Sequence, residues 1–186
     1  MKKKMDDNSG YTLVELIIVM AIIVILTTAA MVTMSVMRTA KVKEAAATFD
    51  AEVTDLIART RNQNVYQDAN NNGVMDAGEE LDGYKYELAI FPNGDKYYVS
   101  NYYLLPVGTH SEVSAAKRKN LSAYVTVQYS DFDGIYNNAT ITNTHTIRFD
   151  KSGACVDGAG VYKFLKKNGS VIATVTINKN GSHQIK

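Results

Sequence analysis

The pattern of hydrophobic and polar positions divides the first third of the chain into an apolar stretch and an amphipathic stretch. Residues 11–37 are apolar almost throughout, and the 22 residues from Leu16 to Met37 carry no charged side chain. From Arg38 to Asn62, apolar residues recur every three or four positions among charged ones, without glycine or proline. This pattern predicts one long helix from about Thr12 to about Asn62, apolar on all sides at first and amphipathic afterwards.

The amphipathic half of the helix has an apolar stripe that marks the side expected to face a core. The stripe consists of Val42, Ala45, Ala46, Phe49, Val53, Leu56, Ile57 and Thr60. Most of the stability of such a helix comes from burying its apolar face rather than from helix propensity. We therefore expect the stripe to pack on a sheet.

After Asn64 the sequence changes first to an Asn-, Gly- and Asp-rich segment and then to short runs typical of β-strands. Asn-Gly pairs at 93–94, 168–169 and 180–181 are typical of tight hairpin turns. The runs predicted as strands are Tyr84–Ile90, Lys96–Leu105, Ala123–Tyr129, His145–Phe149, Val161–Leu165 and Val171–Ile177. The prediction is an α+β fold, in which the half-helix packs on an antiparallel sheet or small sandwich.

Charge and cysteine content narrow the classes of function. The net charge of +1, from 20 basic and 19 acidic residues, gives no support for a polybasic nucleic-acid-binding protein. The single cysteine, Cys155, excludes an intrachain disulfide and a cysteine cluster for zinc or iron–sulfur. We interpret Cys155 as a buried structural thiol, since no histidine is adjacent to it in the sequence. Neither Cys155 nor the rest of the sequence offers a motif that supports catalysis.

The apolar stretch is long enough to cross a membrane. Twenty-two helical residues span roughly 33 Å, against about 30 Å for a hydrocarbon core. Three lysines at positions 2–4 favour a cytoplasmic N-terminus, although Arg38, Lys41 and Lys43 weaken the charge asymmetry. A secretory signal has a shorter apolar core followed by a small-residue cleavage site. Here the better small residue, Gly10, precedes the apolar run, so a cut after it would keep the helix.

Glu15 is a carboxylate inside the apolar segment. An ionised carboxylate in hydrocarbon costs several kcal/mol unless it is paired. Glu15 could lie at the membrane interface and reach water, or it could have a defined partner. A cut after Gly10 would create such a partner, a new α-amine on Tyr11, four residues before Glu15 and on the same helix face.

The order Gly10-Tyr11-Thr12-Leu13-Val14-Glu15, followed by an apolar helix, resembles the prepilin signal of type IV pilins and type II secretion pseudopilins. In that family a prepilin peptidase cuts after the glycine and methylates the new amine. The resemblance implies processing at Gly10 and Tyr11 and an assembly role for Glu15; tyrosine stands where phenylalanine is usual. It implies a cleaved leader (1–10), a filament-core helix (11–37), an amphipathic half-helix (38–64) and a β-rich pilin domain (65–186).

The resemblance implies a structural role, that of a bacterial minor pilin or pseudopilin. Such a subunit is first anchored in the cytoplasmic membrane as a single-pass protein with its β domain outside the cytoplasm. It then joins other subunits in a filament. A major pilin, a calcium-dependent pilus adhesin and a membrane-anchored surface enzyme are alternatives. A DNA-uptake pilus could use the basic groups at 117–119 and 163–167, although the bulk charge does not support DNA binding.

The C-terminal segment carries a second resemblance, to H-type minor pseudopilins. Residues 149–153 form an F-x-x-x-G strand-turn, and Val175–Gly181 match V-T-I-x-x-x-G after an intervening hairpin. The resemblance implies that the chain ends in the β-hairpins of that subfamily.

Residues 68–79 fit the calcium-loop pattern D-x-[DN]-x-[DN]-G-x5-E at every defined position. The predicted ligands are Asp68, Asn70, Asn72, the backbone carbonyl of Val74, Asp76 and Glu79, with Gly73 at the turn position. No exit helix follows, because Leu81-Asp82-Gly83 leads directly into a predicted strand. The pattern therefore predicts a lone EF-like calcium loop, with an Asn-rich turn as the alternative.

Overall fold

The computed structural model describes residues 11–62, 85–105 and 108–186. The predicted helix is confirmed as α1, Leu13–Asn62. The chain divides into two compact units, one ending at Met37 and the other running from Arg38 to Lys186, so the boundary falls within α1. Every buried residue of the described chain belongs to the second unit. This unit therefore contains its own core.

The first unit is an apolar helix with all its described side chains exposed. Its polar side chains are satisfied locally: the hydroxyls of Thr27, Thr28 and Thr33 donate to backbone carbonyls one turn earlier, at 2.8–3.0 Å. A hydroxyl bonded in this way needs no water, and this permits a polar residue within an apolar environment. By length and composition α1 is suited to cross a membrane.

The second unit has two antiparallel sheets. The first comprises β1 (Lys85–Asn93), β2 (Lys96–Leu104), β3 (His110–Glu112), β4 (Lys119–Asn120), β7 (His145–Phe149) and β8 (Cys155–Asp157). Its strand order is β3-β2-β1-β7-β8, and β4 also pairs with β2. The second comprises β5 (Val125–Asp131), β6 (Ala139–Thr140), β9 (Gly160–Lys166), β10 (Val171–Ile177) and β11 (His183–Ile185). Its order is β11-β10-β9-β5-β6.

All six predicted strands are present, as β1, β2, β5, β7, β9 and β10. The three Asn-Gly turns join β1 to β2, β9 to β10 and β10 to β11, which confirms the predicted hairpins. The α+β fold class is confirmed. The other five strands, of two or three residues each, were not predicted because runs so short have no measurable periodicity.

The apolar stripe of α1 packs on the second sheet, as predicted. Phe49 is fully buried, with its ring centroid 4.9 Å from that of Tyr162 and 5.5 Å from that of Phe164, both on β9. Seven of the eight stripe residues are buried, and Ile57 is partly buried against the same core. The first sheet contributes residues such as Leu88 and Val99 to this core, so both sheets and the half-helix share it.

The β10–β11 hairpin fastens the C-terminal segment to α1. His183 Nδ1 lies 2.8 Å from Asp50 Oδ1. The turn of this hairpin approaches the 150–154 loop so closely that a Cβ on Gly181 would lie 1.7 Å from the carbonyl oxygen of Gly153. Gly181 also has φ +83°, a conformation that other residues rarely adopt. Glycine is therefore required at this position.

Candidate functional site

The start of α1 is capped by three reciprocal hydrogen bonds between Thr12 and Glu15. The backbone N–H of Thr12 donates to Glu15 Oε2 at 2.9 Å, and the Thr12 hydroxyl donates to the same oxygen at 2.9 Å. The backbone N–H of Glu15 donates to Thr12 Oγ1 at 3.2 Å. This is a capping box, which satisfies N–H groups that have no partner within the helix. Its sequence signature is Thr-x-x-Glu, at residues 12–15.

The capping box gives Glu15 a role within its own chain. Its carboxylate is exposed, and Tyr11 beside it is 87% exposed, so both lie open to other molecules. Gly10, the residue predicted to precede the cut, lies outside the described residues. The roles of Gly10 and Tyr11 in processing, and of Glu15 in assembly, stay predictions.

The predicted calcium ligands also lie outside the described residues, which do not include 63–84. They are Asp68, Asn70, Asn72, Val74, Asp76 and Glu79. Within the described parts of the chain, no group of three or more His, Cys, Asp or Glu side chains is arranged to hold a metal ion. Calcium binding at this loop therefore stays a prediction.

The first sheet has a polar and aromatic cluster on its outer face. Arg118 donates two hydrogen bonds to the carboxylate of Glu112, at 2.7 and 2.6 Å, and its guanidinium lies 5.4 Å from the ring centroid of Phe91. The hydrogen bonds from Arg118 lower the pKa of Glu112. Glu87, only 1% exposed, contacts His110. Arg118 is thus engaged by a carboxylate, which weakens the idea that residues 117–119 form a phosphate-binding group.

A cleft of about 550 Å³ opens beside the edge where β5, β7 and β8 meet. Tyr129 and His145 line it, with their ring centroids 4.2 Å apart, and the fully buried ring of Tyr162 lies 4.9 Å from that of Tyr129, centroid to centroid. Its mouth is acidic, because Asp131, Asp133 and Asp157 line it together with a single lysine, Lys179. No local motif predicts this cleft, because its walls come from four separate segments of the chain, 129–136, 144–146, 155–159 and 179.

His145 in the cleft and the buried Tyr162 next to it are uncharged at neutral pH. The Tyr162 hydroxyl donates to the carbonyl of Gly158 at 2.6 Å, so at 2.9 Å it must accept from Nε2–H of His145. Burial lowers the pKa of His145, partly opposed by Asp157, and burial raises the pKa of Tyr162. The imidazole is therefore neutral and its tautomer is set by the tyrosine.

Cys155 also lines the cleft, and its thiol is held protonated. Sγ donates to the backbone carbonyl of Asp157 at 3.0 Å, and burial raises the thiol pKa to about 11. The thiolate is the nucleophilic form, and it is scarce near pH 7 at such a pKa. The interpretation of Cys155 as a buried thiol is confirmed.

The comparison with protein families identifies the N-terminal segment. Residues 5–36 match the family model described as the prokaryotic N-terminal methylation motif. No curated protein and no solved structure matches the chain. The match ends before the β domain, so the H-type resemblance of the C-terminal segment stays a prediction.

This motif has general implications for the chain. It supports a type IV pilin- or pseudopilin-like precursor, and it suggests a structural protein rather than an enzyme. Motifs of this kind imply processing by prepilin peptidase and assembly with other pilin subunits, and the apolar helix fits membrane anchoring. The chain therefore has a type IV prepilin-like N-terminal methylation motif at residues 5–36, and this motif includes the apolar start of the long helix Leu13–Asn62.

Proposed function

We propose that the protein is a structural subunit, a minor pilin or pseudopilin, of a bacterial type IV pilus-like or type II secretion filament. The observation that carries the proposal is a methylation motif that includes the start of an apolar helix whose side chains are all exposed up to Met37. An apolar surface of this length needs lipid or other apolar helices around it. A membrane supplies the first environment, and a filament core of like helices supplies the second.

The separate core of the second unit supports the same proposal. Burial starts at Val42, and both sheets and the amphipathic half-helix share one core without any residue of the first unit. The β domain therefore does not depend on the apolar helix for its packing. Such a domain can keep its fold outside the cytoplasm while the helix moves from lipid into a filament.

The test of this function is the N-terminus of the mature protein. A cut between Gly10 and Tyr11 removes the ten-residue leader, and we expect N-terminal sequencing and mass spectrometry to find a methylated Tyr11. Gly10→Val should block the cut because a branched side chain replaces the small residue at the scissile bond, and Ser9→Ala is the matched control that should be cut normally. A mature start near Met31, or an uncut leader in the wild-type protein, would contradict the proposal.

Calcium binding at Asp68–Glu79 is a second proposal, supported by the match to the loop pattern. Asp68, Asp76 and Glu79 are the only carboxylates among the predicted ligands, so attraction is weaker than in an acidic sensor loop. The loop would fix the connection between α1 and β1 outside the cell, where calcium is plentiful. This would be compatible with an adhesin role for the subunit.

Titration calorimetry of residues 38–186 is the measurement for this site. We expect a dissociation constant of roughly 10⁻⁴–10⁻³ M. At 1 mM calcium this affinity raises the free energy of unfolding by about 0.4–1.4 kcal/mol. The variant with both Asp68→Ala and Glu79→Ala should lose the heat and the stabilisation. No heat and no rise in melting temperature for the wild-type unit at millimolar calcium would mean that the loop is an Asn-rich turn.

A further inference from the structure

The second sheet has two ends that differ in charge. In the strand register, Val125 on β5 pairs with Lys166 on β9 at one end, and Asp131 pairs with Gly160 at the other. We call the first the hairpin end, because the β9–β10 turn lies there, and the second the cleft end. Six residues of strand separate the ends by about 20 Å. Groups at the two ends therefore cannot contact each other within one chain.

The cleft end is acidic and has an apolar rim. Lys179 Nζ lies 2.9 Å from Asp133 Oδ1, so these two charges offset each other. Among the described residues, Asp131 and Asp157 remain at the cleft mouth, where Arg148 lies opposite Asp157 in the β7–β8 register but forms no salt bridge with it. Val156 lines the cleft and is exposed; Phe132 and Ile135, the latter 79% exposed, lie in the chain between its lining residues Asp131 and Tyr136. A complementary surface would carry positive charge beside apolar side chains.

The hairpin end carries positive charge beside exposed apolar side chains. Lys166 and the exposed Lys167 lie at the β9–β10 turn. The β1–β2 turn lies next to it, since Lys167 Nζ donates to the backbone carbonyl of Asp95 at 3.3 Å, and it adds Lys96. Two exposed apolar side chains, Tyr124 and Val171, stand at the same end of the sheet. Three lysines against one aspartate make this end positive.

We propose that copies of this chain contact each other head to tail, with the hairpin end of one copy seated in the cleft end of the next. The argument is charge complementarity: each end combines one dominant sign of charge with exposed apolar side chains, and the two signs are opposite. A head-to-tail contact leaves a free cleft and a free hairpin at the two ends of each assembly, so it can add copies without closing. The inference rests on the proposed function, because it names the β-domain surfaces through which filament subunits would meet.

The contact should be modest in strength and sensitive to salt. The charges lie at the surface, where ions screen them over about 8–10 Å. The stems of Lys166 and Lys167 can lie along the apolar rim while their ammonium groups reach Asp131 and Asp157. Electrostatic pairs of this kind fix orientation and register more than they add affinity. We therefore expect them to determine how neighbouring β domains align.

The experiment uses the full-length protein in cell envelopes. Unlabelled and ¹⁵N-labelled envelopes are solubilised, mixed and returned to lipid, so that a mixed-isotope peptide pair identifies a contact between copies. A zero-length carboxyl–amine cross-linker should join Asp131 or Asp157 of one copy to Lys166 or Lys167 of another. Two double variants bring like charges together at the contact: Asp131→Lys plus Asp157→Lys, and Lys166→Glu plus Lys167→Glu. Each should lower the yield of cross-linked copies at least about ten-fold.

Mixing the two variants is the decisive arm. The first variant has two basic ends and the second has two acidic ends, so neither pairs with itself, but each end of one complements an end of the other. We expect the mixture to associate to within about three-fold of wild type, measured as cross-linking through the added lysines and glutamates, because opposite charges again face each other. A variant that had merely misfolded would not be rescued by mixing.

Each of the other outcomes would overturn the head-to-tail contact. In the first, the peptide that carries Asp131 or Asp157 is cross-linked only to another protein. In the second, the peptides that carry Lys166 and Lys167 are protected from the cross-linker only by anionic lipid. In the third, no cross-linked peptide pair joins two copies. The readout does not require a filament. Failure of the Gly10–Tyr11 cut or of filament assembly would therefore reject the proposed function, while absence of the cross-link within assembled filaments would reject the contact alone.

Discussion

Replacing Glu15 by alanine should lower incorporation of the protein into filaments by roughly 5- to 150-fold, the equivalent of about 1–3 kcal/mol per contact. The physical reason is the α-amine of Tyr11 of a neighbouring subunit, which would lose its carboxylate partner in an environment without water. The fold of the second unit should not change, because no residue of the first unit belongs to its core. Counting labelled subunits per filament length measures the effect.

The capping box makes a sharper control necessary. Glu15→Ala removes the acceptor for the Thr12 N–H as well as the charge, so helix fraying could reduce incorporation by itself. Glu15→Gln keeps a side-chain acceptor suited to the box but removes the charge. Thr12→Ala keeps the charge but removes the hydroxyl that Glu15 N–H donates to.

These variants separate the two roles of Glu15. If the carboxylate pairs with an amine, Glu15→Gln should fail as Glu15→Ala does, and Thr12→Ala should assemble nearly normally. Normal incorporation of Glu15→Gln would mean that Glu15 acts only as a helix cap. Normal incorporation of Glu15→Ala would mean that it merely reaches water at the membrane interface.

Phe49→Ala should destabilise the second unit by about 3–5 kcal/mol, the range for loss of a buried phenylalanine. The ring is fully buried between α1 and β9, where it contacts Tyr162 and Phe164, so its removal leaves a cavity where helix and sheet meet. Domains of this size have about 5–15 kcal/mol of total stability, so the loss is a large fraction. Urea unfolding of residues 38–186 measures it.

Lys43→Ala is the matched control, because Lys43 is exposed on the same amphipathic half-helix, less than two turns before Phe49. It should change the free energy of unfolding by no more than about 0.5 kcal/mol. A cost below about 1 kcal/mol for Phe49→Ala would contradict the packing described here. It would mean that the amphipathic half-helix holds the β domain only loosely.

The sequence alone predicted the elements whose determinants are local. The α1 stripe repeats with the helical period over five turns, and the observed helix, Leu13–Asn62, agrees with the prediction within one residue. Hairpins such as β9–β10 were also predictable, because an Asn-Gly turn and the alternating runs beside it are contiguous in the chain. The methylation motif is local as well, and its linear order identified it.

The site at the N-terminus was predicted only in part. The spacing of Tyr11 and Glu15 predicts that the new α-amine and the carboxylate lie on one helix face, but the capping box shows that the carboxylate already has a partner one turn away in its own chain. Thr12-x-x-Glu15 was readable as this signal. The charge of Glu15 in an apolar segment does not by itself indicate this hydrogen-bonding role.

Only the tertiary structure decided how the two sheets are arranged and where their charges lie. The pairing of β1 with β7 joins Leu88 to Ile147, far apart in the chain, and no local pattern specifies such a partner. The packing of the two sheets brings His145 of the first sheet to Tyr129 and Tyr162 of the second, where burial lowers its pKa and keeps the imidazole neutral. The opposition of the cleft end and the hairpin end follows from strand register, which places Asp131 and Lys166 at opposite ends of neighbouring strands. Local sequence determines each strand and turn, whereas the position of a charge relative to another depends on which strands pair, and that depends on the core shared by the whole unit.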